Sequence, residues 1–96
     1  MPVPDQPSTD RARAAWSDLE PPWQACLEEA WTSWAAGSAG VGAVIVDPDG
    51  SIVARGRNRI VEEPAEPGVL AGTFLAHAEM NALAQLPIRQ TDVTLY

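Results

Sequence analysis

The chain has 96 residues, 13 acidic side chains against 6 basic ones, a formal net charge of −7 and a pI near 4.4. That leaves room for one small domain and provides no general electrostatic pull toward nucleic acid or anionic lipid. A hydrophobic fraction of 46% fits a globular core, no apolar run approaches membrane-spanning length, and no basic segment leads into an apolar one at the N-terminus, so the expectation is a soluble protein of the cytoplasm.

Residues 1–9 hold Pro2, Pro4 and Pro7 with little apolar material, and residues 10–15 can begin a short helical turn pinned by Trp16. Residues 1–16 therefore read as a flexible arm and 17–96 as the domain. Asp18 and Glu20 before Pro21-Pro22 suit a helix start, with acids near the positive end of the helix and proline in its first turn. Trp23, Leu27, Ala30, Trp31 and Trp34 recur at offsets of three and four, which predicts one apolar face packed on the core, and Gly37 supplies the stop. Cys26, the one cysteine, reads as a small buried hydrophobe; alone it forms no intrachain disulfide and no cysteine-rich metal site.

The run 41–46, with Val41, Val44, Ile45 and Val46, predicts a strand buried on both faces. Asp47-Pro48-Asp49-Gly50 is a turn, and 51–59 reads as the second strand of an antiparallel hairpin. Prolines and glycines in 62–74 make a loop, and Met80, Leu83 and Ala84 form the apolar stripe of a helix that follows and runs out to Pro87. Residues 92–96 are strand-like. A helix between strands two and three is a crossover, which calls for a layered α/β arrangement.

The chemistry concentrates at His77-Ala78-Glu79-Met80-Asn81, which holds the single histidine. Residues two apart point to nearly opposite sides in mid-helix, so His77 and Glu79 can share a site only at a helix N-terminus. There the helix dipole opposes protonation of His77 and favours the neutral imidazole that ligates metals.

Together with Gly42-Ala43-Val44-Ile45-Val46-Asp47 and Ile52-Val53-Ala54-Arg55-Gly56-Arg57-Asn58-Arg59, this motif resembles the zinc-dependent cytidine, deoxycytidylate and nucleoside deaminase superfamily, which includes tRNA adenosine and guanine deaminases. The resemblance covers residues 20–96. It implies an α/β fold, a layered α/β/α arrangement with a mixed sheet, strand one lying between strands two and three and parallel to strand three. It also implies His77 as a zinc ligand, Glu79 as the general acid/base with a pKa raised by burial, Asn58 as a substrate contact, and Val41, Gly42 and Ala43 as backbone lining the base pocket.

The family's later Pro-Cys-x-x-Cys, which supplies two further zinc ligands, has no counterpart here; Thr91-Asp92-Val93-Thr94-Leu95-Tyr96 is similar to the strand that leads into it. The expectation is thus a fold incomplete on its C-terminal side, with an open sheet edge that favours self-association as a dimer. The leading function is zinc-dependent hydrolytic deamination of a nucleoside or nucleobase, with the 96-residue chain inactive by itself. The alternatives are a catalytically silent interaction module of the same fold, and a tRNA adenosine deaminase, which the acidic balance fits poorly. Cytosine, adenine and guanine deaminases share these residues, so the motif does not select the base.

Overall fold

The computed structural model describes residues 6–96, so the first five residues of the expected arm lie outside the described region. Helix α1 (Gln6–Asp18) is longer than the turn expected at residues 10–15, and it is exposed from Arg11 to Asp18. Near its end the Trp16 carbonyl accepts from Gln24 Nε2 at 2.8 Å. Helix α2 (Pro21–Ala35) begins with its prolines in the first turn and ends before Gly37, which has φ +88°. Ala36, Gly37 and Ser38 donate to the carbonyls of Thr32, Trp34 and Ser33, closing the helix at the glycine.

Strands β1 (Gly42–Val46) and β2 (Ile52–Arg57) form the expected antiparallel hairpin. Its turn is fixed by Asp47: Oδ1 accepts from the N–H groups of Asp49 and Ser51, the carbonyl accepts from Gly50, and Gly50 takes φ +82°. The register runs from Gly42↔Arg57 to Ile45↔Ala54 and then jumps to Val46↔Ile52, leaving Val53 as the extra residue of a bulge. Val53 packs against the buried cluster of Ala43, Ile45, Ala54, Ala78 and Ala82. Helix α3 (Ala78–Leu83) and strand β3 (Thr94–Leu95) complete the described elements, and the sheet order is β2-β1-β3.

The third strand corrects one expectation. β3 pairs with β1 antiparallel, through Ile45↔Leu95 and Val46↔Thr94, so among the described strands the sheet is antiparallel rather than mixed. The crossover through α3 returns the chain in the direction of β2, on the other side of β1. β1 is therefore the centre of the sheet, and it is buried on both faces as its β-branched run requires: Val44 and Ile45 are fully enclosed.

The layers are α2, sheet, α3. On one face Val44 and Val46 pack with Ala25 and Cys26 of α2; on the other Ala43, Ile45 and Ala54 pack with Ala78 and Ala82 of α3. Each helix lies almost on the backbone of the sheet. A Cβ at Gly42 would collide with the Cys26 carbonyl and the Ala30 nitrogen, and a Cβ at Gly56 with the Ala78 carbonyl and the Ala82 nitrogen.

Close approach decides which side of each helix faces inward, and it overturns the expected tryptophan core. Trp23, Leu27, Trp31 and Trp34 are exposed, with Trp31 at 69%, while Pro22, Ala25, Cys26 and Ser33 are buried. Both sets recur at three and four residues, one position apart; only the small set fits against Gly42. In α3 likewise Met80 and Leu83 are exposed and Ala78, Asn81 and Ala82 are buried. That helix is also shorter than expected, ending at Leu83 rather than running to Pro87.

Candidate functional site

The backbone joins three segments at one end of the sheet. Beyond the last β1–β2 pair, the Asn58 N–H donates to the Val41 carbonyl at 2.9 Å, and the next N–H, of Arg59, donates to the Ala76 carbonyl at 2.9 Å. The approach to β1, the end of β2 and the approach to α3 are thereby held side by side, with Asn58 flanked by Val41 and by the residue preceding His77.

His77 is the N-cap of α3, in extended conformation (φ −74°, ψ 153°), and its carbonyl accepts the Asn81 N–H at 3.0 Å. Glu79 lies in the first turn, and its Oε1 is 3.4 Å from His77 Nδ1. The pair thus meets at the helix start, the one place where residues two apart can do so. Their side chains are 53% and 44% exposed, so the burial expected around Glu79 is not supplied by the described residues.

Asn58 is buried. Its Oδ1 accepts from the Ile60 N–H at 3.2 Å, which assigns the oxygen end of the amide and leaves Nδ2 as a donor. Its carbonyl accepts from the Ser33 hydroxyl at 2.7 Å, and that hydroxyl in turn accepts from the Gly40 N–H at 3.2 Å. Gly42 turns toward α2, its carbonyl accepting from the Cys26 thiol at 3.1 Å, whereas Ala43 turns toward α3 in the cluster with Ala78 and Ala82. Val41 is half exposed.

Two supporting residues escaped the sequence reading. Asn81, four residues after His77, is buried in the middle of α3; its Oδ1 accepts from Leu70 N–H at 2.8 Å and its Nδ2 donates to the carbonyls of Leu70 and Arg57 at 3.0 and 3.1 Å. It ties the long loop to both the helix and β2. The signal available was its place on the face shared by Ala78 and Ala82. Glu62 is the second: it accepts from Arg57 Nε and Nη2 and from Arg59 Nε at 2.9–3.0 Å. These bonds hold its carboxyl below the usual carboxylate range despite burial, and Arg57 is shifted up by the same hydrogen bonds. Both arginines that flank Asn58 are thus committed to one carboxylate.

The residues described do not compose a catalytic zinc centre. Such a centre usually takes three protein ligands, and no group of three histidine, cysteine or carboxylate side chains comes together among the described residues. Cys26 lies in the α2 cluster, on the sheet face opposite α3, with its thiol pKa raised first by burial and then by Glu29. The sheet thus stands between Cys26 and the helix that starts at His77.

A family model for the cytidine and deoxycytidylate deaminase zinc-binding region matches residues 17–96. The chain belongs to this deaminase family. A solved structure from a study of A-to-I editing by tRNA:A34 deaminases at the wobble position of transfer RNA is similar to it, with 28% identity and a TM-score of 0.58 over 78% of this chain. The chain spans 55% of that protein's length. No curated protein sequence matches it significantly. The match supports the layered deaminase fold and a zinc-binding deaminase family, and among the described residues no helix is long and apolar enough to cross a membrane.

Proposed function

We propose that this chain carries the histidine and proton-transfer half of a zinc-dependent hydrolytic deaminase acting on a nucleoside or nucleobase. The observation that carries the reading is the Glu79 carboxylate 3.4 Å from His77 Nδ1 at the start of α3, inside a region matched to the deaminase family. In this reading His77 offers one imidazole toward zinc, and the remaining ligands come from residues other than these 96. Glu79 takes a proton from the attacking water and gives it to the ring nitrogen, then carries the proton of the added hydroxyl to the amino group, which leaves as ammonia as the carbonyl forms. Nδ2 of Asn58 donates to the substrate, and Val41, Gly42 and Ala43 shape the wall beneath the base.

The likeness to the tRNA:A34 deaminase favours a second reading, editing of an adenosine in transfer RNA. The net charge of −7 opposes it, because such a chain offers a polyanion no general electrostatic attraction. The small-molecule substrate is therefore preferred, with a homodimer as the working assembly and the cytoplasm as its place.

The test is made on a longer protein that contains this chain and the family's cysteine pair. Glu79→Gln there should abolish ammonia release while about one zinc per site is retained, since the amide keeps the size and loses the proton. Retained turnover removes Glu79 from the mechanism.

A further inference from the structure

Phe74 is the only phenylalanine of the chain, and it stands 86% exposed three residues before His77. Its position is built. The Ala76 N–H donates to the Thr73 carbonyl at 3.0 Å and the His77 N–H to the Leu75 carbonyl at 2.8 Å, so Phe74 is carried at the tip of a hydrogen-bonded turn. It lines a cavity of about 330 Å³ with Ile60, Gly72 and Thr73. Ile60 is the residue whose N–H donates to Asn58 Oδ1, and the neighbouring Arg59 N–H is bonded to the Ala76 carbonyl. The cavity is therefore bounded on one side by the residues following Asn58 and on the other by those leading into His77.

We propose that Phe74 is the aromatic wall on which the substrate's planar ring lies, with Ile60 as its apolar neighbour. An exposed phenylalanine ring gains by covering its face with a flat π-system. Such stacking is tolerant of which base is present and needs no charge, which suits a cavity whose adjacent Arg59 is already held by Glu62. Phe74 thus selects for a flat heterocycle, and Asn58 contributes the polar contact. This assignment rests on the deaminase reading above and deepens it by naming the residue that receives the ring.

A single phenylalanine permits a single spectroscopic probe. The 96-residue chain labelled with 4-fluorophenylalanine should give one fluorine resonance from Phe74, and titration with adenosine, cytidine or guanine should shift it, while ribose should not. Phe74→Ala and Phe74→Leu should weaken nucleoside binding by about tenfold, and Phe74→Tyr should retain it. A resonance that no base moves, or equal binding by Phe74→Leu, overturns the assignment. So does a resonance that shifts with protein concentration alone, which would place Phe74 between two copies of the chain. Failure in the fluorine experiment leaves the Glu79→Gln test intact, and retained turnover in that test with base-induced shifts preserved would remove Glu79 from the mechanism while keeping the base-binding wall.

Discussion

Arg57 and Glu62 form a two-pronged ion pair, Nε and Nη2 meeting Oε2 and Oε1 at 3.0 and 2.9 Å, with only 12% of the Glu62 side chain exposed. Arg59 adds a third bond to the same carboxylate. The network fixes the first residues of the long loop against the end of β2, on either side of Asn58.

Because these bonds depress the pKa of Glu62 in the folded chain, the stability they contribute is present above the unfolded carboxylate value, about 4.3, and is lost as the pH falls through the lower folded value. Glu62→Gln should cost roughly 2–4 kcal/mol at neutral pH, since it strands two guanidinium groups. Its melting temperature should also fall less steeply than the parent's between pH 5 and pH 3, where roughly the ordinary carboxylate range lies. Parallel acid limbs for the two proteins would remove Glu62 as a folded-state anchor.

The helix packing gives a contrast within one experiment. Trp31→Ala should leave stability within about 0.5 kcal/mol, because the side chain already stands in water. Gly42→Val should cost on the order of 3 kcal/mol or more, because the new side chain meets the backbone of α2. Urea midpoints measure both; a large loss at Trp31 would mean that the tryptophan face is covered.

That contrast shows what the sequence made legible. The hairpin, its Asp47 turn, the doubly buried β1 and the position of His77 at a helix start follow from local chemistry: β-branching, turn residues and residue spacing. The inward faces of α2 and α3 were misjudged because periodicity reports only that a stripe exists. Ala25, Cys26 and Ser33 satisfy the same spacing as Trp23, Leu27, Trp31 and Trp34, and hydrophobicity favoured the wrong set. The deciding information lay on β1, in Gly42, and reading it needs the pairing of helix and strand. The direction of β3, taken from the resemblance as parallel to β1, was misjudged although it was legible: the crossover sets β3 in the direction of β2, and the hairpin sets β2 antiparallel to β1.

Asn81 offers a sharper test of the loop attachment. Asn81→Ala leaves Leu70 N–H and the carbonyls of Leu70 and Arg57 without their partner, which should cost about 2–3 kcal/mol. Asn81→Asp should be at least as damaging, since it sets a carboxylate oxygen against those two carbonyls. Amide exchange at Leu70 should quicken in both variants; unchanged protection there would show that the loop is held by other contacts.

For zinc, the 96-residue chain should retain much less than one equivalent after dialysis against micromolar metal, and should release no ammonia from cytidine, deoxycytidine, adenosine or guanine. In the longer protein with the cysteine pair, His77→Ala should lose zinc before any other measured property changes. Tight stoichiometric zinc on the 96-residue chain would mean that a second copy or an unforeseen ligand completes the centre.

Gly56 has a role that goes beyond packing. It sits two residues before Asn58 on β2, and the first turn of α3, with Ala78 and Asn81, rests directly upon it. Asn58 travels with the strand, while His77 and Glu79 travel with the helix. The missing side chain of Gly56 is thus the gauge block between the two parts of the candidate site: a single methyl group there would meet the backbone of α3 and displace the helix that carries the histidine and glutamate. The spacing between the two parts of the proposed site is set by an atom that the chain leaves out.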